Sequence, residues 1–118
     1  MRRPTRLTLF RWLLAAFFAF GAMGNLFPTE GIMADYQRWG FPDWFHYVTG
    51  TLELTASALM FSRYRLFGAL AGAALMVAAA TTVLINGEFL HALIPATVLA
   101  LCLLLAVLLR RQTARVTA

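Results

Sequence analysis

Four long apolar stretches, at about residues 7–27, 44–61, 66–85 and 89–109, constrain this chain more than any other feature of it. An α-helix rises about 1.5 Å per residue and the hydrocarbon core of a bilayer is about 30 Å thick, so each stretch has the length to cross it. The rest of the composition fits no other solvent. With 61% hydrophobic residues, 13% charged and only five acidic side chains, the chain cannot cover a water-facing surface, which excludes a cytosolic enzyme, a nucleic-acid module and a disordered tail. The net charge of +5 does not restore nucleic acid as a partner, because the basic residues stand at the ends of apolar runs and not on one patch. The partner that the composition demands is the lipid bilayer. Arg2, Arg3 and Arg6 before an apolar core resemble the start of a signal peptide, but the core is long and no small-x-small site follows, so the first stretch is read as a retained helix.

Arginine placement sets the orientation. With four spans, Arg2, Arg3, Arg6, Arg11, Arg63, Arg65, Arg110, Arg111 and Arg115 fall on one side, and Arg38 falls on the other with Glu30, Asp35, Asp43 and Glu88. By the positive-inside rule both termini are cytoplasmic and the protein is a multi-pass inner-membrane protein. Three spans or five would scramble this pattern. The connection from Pro28 to Asp43 carries a short helix at about 29–39: Thr29 caps it, Ile32, Met33, Tyr36 and Trp39 share a face, and Gly40 and Pro42 stop it. Too short to span, it belongs in the headgroup region within an aromatic belt of Tyr36, Trp39, Phe41, Trp44 and Tyr47, as a lid. The links at Ser62–Arg65 and Asn86–Glu88 are tight and make neighbours antiparallel. The expected fold is a single all-α membrane domain over 1–118, an antiparallel four-transmembrane-helix bundle with an interfacial helix between its first two spans. Gly68 and Gly72, a Gly-xxx-Gly step, and Gly50 allow close helix packing, and Pro95 is expected to kink the fourth span and free the carbonyl of His91.

Glu53 lies near the middle of the second span, where an acid costs about 2.5–3.5 kcal/mol on insertion scales. It must face the bundle interior and either hold a proton or meet a donor. His46, Thr49, Gly50, Glu53 and Ser57 share one helical face, with the Thr49 and Ser57 hydroxyls expected on carbonyls of their own helix. Asn25, Thr81, Thr82, Asn86 and His91 add polarity at the same end of the bundle, which suggests a pocket opening outward. Glu53, His46, Asn25 and His91 are the candidate ligand-binding residues, with Glu53 the candidate proton-handling group. A metal site is not expected, since the two histidines lie far from other soft ligands. The single cysteine, Cys102, rules out an intramolecular disulfide or a Cys-x-x-Cys pair.

Gly40-Phe41-Pro42, an aromatic stretch, and then Gly50-Thr51-Leu52-Glu53-Leu54 heading an apolar helix resemble the DoxX-like family of small four-span membrane proteins, over about Leu13 to Leu109. The resemblance extends to the Gly21–Asn25 end of the first span and to the His91–Pro95 pair. It implies an inner-membrane protein linked to redox chemistry and quinone, since relatives include the membrane subunit of a thiosulfate:quinone oxidoreductase and membrane partners of thiol and superoxide detoxifying enzymes. Many members carry a lysine near the end of the first span that can pair with the glutamate. This chain has no lysine and places Asn25 there.

Three functions fit these residues. The first is a subunit of a membrane oxidoreductase system that binds a quinone or another small apolar ligand, with no covalent cofactor and a redox enzyme or other membrane subunit as partner. The second is a non-enzymatic assembly subunit. The third is a small proton-coupled carrier, which at four spans per chain requires a homo-oligomer. Whether the chain is itself an enzyme is left open by its residues.

Overall fold

The computed structural model describes the backbone of residues 5–117 and the side chains of residues 5–115. Among the described residues it contains five helices and no strand: α1 (Arg6–Leu26), α2 (Glu30–Arg38), α3 (Phe45–Phe61), α4 (Arg65–Ile85) and α5 (Leu93–Thr117). By length and composition α1, α4 and α5 can each cross a membrane; α3, with 17 residues and a central glutamate, is not among these three and packs between α1 and α4. Large apolar side chains such as Leu13, Phe20, Leu70 and Leu103 stand exposed around the bundle. Helices that are apolar on every side belong in lipid.

Local chemistry sets the helix ends. The Thr5 and Thr29 hydroxyls accept from the main-chain N–H groups of Thr8 and Ile32, starting α1 and α2. Gly40 (φ +84°) ends α2 and Gly87 (φ +75°) turns the chain after α4, both in the left-handed region open to glycine. The apolar run expected to be helical from about 89 starts its helix only at Leu93. Residues 88–92 instead form successive turns, in which the Ala92 N–H reaches the carbonyls of Glu88 and Phe89, each at 3.2 Å. Pro95 is therefore the third residue of α5, in the first turn, where its backbone nitrogen has no intrahelical partner to lose. It stands in the first turn of α5 and not inside a longer helix, so there is no preceding helical turn for it to kink.

α1 packs on α3, α3 on α4 and α4 on α5, while a smaller contact of α5 with α1 closes the ring and α2 lies against α3. At the end where α1 starts and α5 finishes, Leu14, Ala15, Phe18, Ala56, Met60, Ala73, Cys102 and Leu105 fill the interior. Backbones approach closely there. A Cβ on Gly68 would stand 2.5 Å from the Met60 nitrogen, and one on Gly72 would stand 2.9 Å from Phe18 Cζ. Gly50 meets α1 in the same way, 2.9 Å from Leu26 Cγ. Arg11 is buried in this half, where its Nη1 donates to the Met60 carbonyl at 2.8 Å. It thus satisfies one of the last carbonyls of α3, at the negative end of that helix.

Candidate functional site

The α3–α4 hairpin is tight at Gly68 and opens toward the α2 end, leaving a cavity of about 610 Å³. Its walls are mostly apolar: Phe17 from α1, Val48 and Leu52 from α3, Leu75, Met76 and Ala79 from α4, and Ile94 and Pro95 from α5. Tyr36, Trp39 and Phe41 roof it.

Polar groups interrupt the wall at Asn25, Thr49, Glu53, Thr82 and His91, and of these Glu53 is the only acid. Glu53 is 8% exposed, and its Oε1 accepts from Asn25 Nδ2 at 2.9 Å. The same Nδ2 donates to the Gly21 carbonyl at 3.1 Å, while Asn25 Oδ1 accepts from the Tyr36 hydroxyl at 2.6 Å. These partners fix the amide orientation, because two acceptors need the NH₂ and a phenol donates to the oxygen. Burial raises the Tyr36 hydroxyl above its ordinary pKa, which keeps it a donor. Since Oε1 is committed as an acceptor, a proton on the carboxyl resides on Oε2. That oxygen has no hydrogen-bond partner among the described residues, and Glu53 borders the cavity. Oε2 also lies so close to Gly21 that a Cβ there would overlap it. Glycine at 21 is what lets the carboxyl rest against the α1 backbone.

The other candidates divide. His46 is 4% exposed and sits outside the cavity lining; its Nδ1 is 2.7 Å from the Asn25 main-chain carbonyl, and because a carbonyl only accepts, Nδ1 carries the hydrogen. It ties α3 to the end of α1. His91 lines the cavity at its exposed rim, 3.4 Å from Glu88 Oε1 and with its ring 5.6 Å from that of Trp39. Asn25 and Glu53 are thus joined directly, His46 through the Asn25 backbone, and His91 stands apart. Of the two hydroxyls on this face, Thr49 reaches its own helix, at Phe45, whereas Ser57 crosses to the Ala15 carbonyl of α1 at 2.7 Å.

α2 is held over the cavity from both sides. Tyr36 ties it to α1, and at its C-terminal end the Arg38 guanidinium pairs with Glu88 at 2.7 Å while Trp39 Nε1 donates to Glu88 Oε2 at 2.6 Å. Arg38 and then the Trp39 N–H pull the Glu88 carboxyl down to about 2. Tyr36, Gly21 and the Arg38–Glu88 pair escape a reading of the sequence. Tyr36 does stand on the apolar face of α2, and an amphipathic helix with a phenol on its buried face is the one signal that pointed to it. Among the described residues no group of histidine, cysteine and carboxylate side chains is arranged to hold a metal ion.

The sequence model of the DoxX-like family matches residues 9–105, a stretch that includes every residue of this cluster. The chain belongs to the DoxX-like family. This DoxX-like chain is a membrane protein, in keeping with its three long apolar helices. No curated protein and no solved structure matches it.

Proposed function

We propose that α1, α3, α4 and α5 all span the inner membrane with both termini cytoplasmic and α2 at the opposite interface. In this arrangement the cavity binds a small apolar ligand with a hydrogen-bond-accepting head, of the quinone class, and the protein serves a membrane oxidoreductase system. The observation that carries this reading is the Glu53 carboxyl, the one acid in a mostly apolar wall, with Oε1 occupied by Asn25 and Oε2 left for a ligand. The cavity volume falls within the range of about 300–1,000 Å³ usual for small-molecule sites. Mostly apolar walls with a few oriented polar groups suit a ring that carries carbonyl oxygens. When bound, a quinone supplies a carrier of two electrons and two protons, with the electrons coming from a partner enzyme.

The chain's own part is to bind, orient and handle a proton. Glu53 donates from Oε2 to a carbonyl oxygen and can exchange that proton, Asn25 keeps Oε1 as the acceptor, and Tyr36 fixes Asn25. The faces of Gly68, Gly72, Ala15 and Ala22 are used up inside the bundle, which favours a ligand site over an assembly role built on those faces.

Titration of the purified protein with a short-chain benzoquinone, read by tryptophan quenching, tests the reading. Glu53→Gln retains an N–H donor toward the cavity and binds within a few-fold of the parent, whereas Glu53→Leu binds at least about tenfold more weakly, as expected when a buried hydrogen bond worth about 1.4 kcal/mol is lost. Equal binding by parent and Glu53→Leu removes Glu53 from the site.

A further inference from the structure

The end of the bundle remote from α2 carries a second recess that the ligand cavity does not explain. It holds about 290 Å³ between the α3–α4 link and the last turns of α5, and it is lined by Arg63, Arg65, Leu66, Leu109, Gln112 and Thr113. Arg63 is positioned by Tyr64, with its Nη2 donating to the phenol oxygen at 2.6 Å and its guanidinium lying over the ring at 4.8 Å. Neither contact neutralises its charge. Arg65 is half-buried and makes no hydrogen bond or ion pair among the described residues, and it lies close enough to the buried Arg11 for the two positive charges to repel. Arg110 and Arg111 follow on α5. Among the described residues no side-chain carboxylate relieves this concentration of charge. Glu30, Asp35 and Glu88 lie at the opposite end on or beside α2, Asp43 precedes α3, and Glu53 is held in the middle of α3.

A half-buried guanidinium without a counter-charge is expensive, and the recess between Arg65 and the exposed Arg63 marks where an anion fits. We infer that the recess formed by Arg63, Arg65, Gln112 and the last turns of α5 binds a phosphate oxyanion, in the form of the headgroup phosphate of an anionic phospholipid. Guanidinium and phosphate match in geometry and pair through two parallel hydrogen bonds. Leu66 and Leu109 in the same wall give the apolar parts of a lipid a surface that a free ion would not need. Basic recesses between helices at a membrane face are of the kind that retains anionic headgroups.

Native mass spectrometry of the full chain in detergent tests this, with short-chain phosphatidylglycerol, phosphatidylcholine and inorganic phosphate added in turn. One phosphatidylglycerol per chain is expected to bind ahead of phosphatidylcholine. Arg65→Gln should weaken it about tenfold, in line with the loss of a charge-assisted hydrogen bond, and Arg65→Lys should weaken it less. Arg115→Gln, which removes the same charge from an exposed residue outside the recess, should change it by less than about twofold. Should Arg65→Gln fail to elute as a folded species, Arg63→Gln carries the same expectation. Inorganic phosphate that binds with the same dependence on Arg65 and displaces the lipid would make the free ion the occupant and overturn the lipid assignment. Equal losses in Arg65→Gln and Arg115→Gln, or equal binding of phosphatidylcholine, would overturn the site.

Discussion

Asn25→Ala removes a side chain whose hydrogen bonds join three helices. Asn25 Nδ2 donates to Glu53 on α3, and its Oδ1 accepts from Tyr36 on α2. The variant leaves Glu53 Oε1 without a donor and the Tyr36 hydroxyl without its Asn25 acceptor, in residues that are each only 8% exposed. Hydrogen bonds between helices in membrane proteins average about 0.6 kcal/mol and reach about 1.7, while a buried polar group left unpaired costs about 1–3 kcal/mol. Two such groups place the loss at about 2–4 kcal/mol. Tyr36→Phe alone leaves Asn25 Oδ1 unpaired, at about 1 kcal/mol. In the Asn25→Ala background the same change removes a hydroxyl that has already lost its Asn25 acceptor, and it should cost nothing or restore some stability. The two changes should therefore couple by about 1 kcal/mol, measured as reversible unfolding in mixed micelles by circular dichroism. Additivity of the pair within about 0.3–0.5 kcal/mol would show that the Tyr36–Asn25 contact contributes no stability, and the reasoning from the network would fail.

Gly68→Leu drives a side chain into the Met60 backbone, which cannot give way as a side-chain tip would, so it should destabilise by at least about 1–3 kcal/mol in the same unfolding assay. Gly21→Ala meets only the flexible end of Glu53; it should leave the fold within about 1 kcal/mol of the parent but weaken quinone quenching by displacing the carboxyl from Asn25. The Arg38–Glu88 contact should depend on acid. Because the folded Glu88 pKa is depressed to about 2, its stabilisation is complete above the ordinary carboxylate value near 4.5 and disappears as the pH falls through about 2. Trp39 fluorescence in a Trp12→Phe, Trp44→Phe background should hold steady from pH 7 to about 3, change as Glu88 takes up its proton near 2, and be altered already at neutral pH in Glu88→Gln. Pro95→Ala should shift stability by less than about 0.5 kcal/mol, since the proline sits in the first turn of α5; a loss of several kcal/mol would place it inside a strained helix instead.

How far each feature was legible in the sequence follows from the range of the forces behind it. Helix positions come from apolar runs and local caps, so α2 starts after Thr29 as its hydroxyl dictates and the α3–α4 link is tight at Ser62–Tyr64, whereas the link expected to be tight at Asn86–Glu88 turns at Asn86-Gly87 but runs on to Ala92. The start of α5 was hidden because Phe89 and Leu90 continue the apolar run although their backbone turns; hydropathy records composition and not φ and ψ. Glu53 announces itself, since a charge amid apolar residues has few explanations. Its partners do not, because Asn25, Ser57 and Tyr36 find them on other helices, across 28, 42 and 11 residues of sequence. Arg11 reads as one of a group of surface charges, yet it turns inward to the Met60 carbonyl, a contact that depends on the depth at which α1 and α3 meet. Nothing local separates Gly21, which lies against the Glu53 carboxylate, from Gly24 one turn later, whose nearest neighbour is Ile32 at 3.8 Å.

The most direct test of the account is mass spectrometry of the small molecules that co-purify with the chain from its own membranes in mild detergent, with parent and Glu53→Leu compared at equal protein. The account predicts a quinone or a similar apolar molecule with a hydrogen-bond-accepting head, retained by the parent and reduced at least about tenfold in the variant, with both proteins eluting as folded species. The same molecules retained in equal amounts by both proteins would contradict it, and would leave Glu53 as a group that fastens α3 to α1.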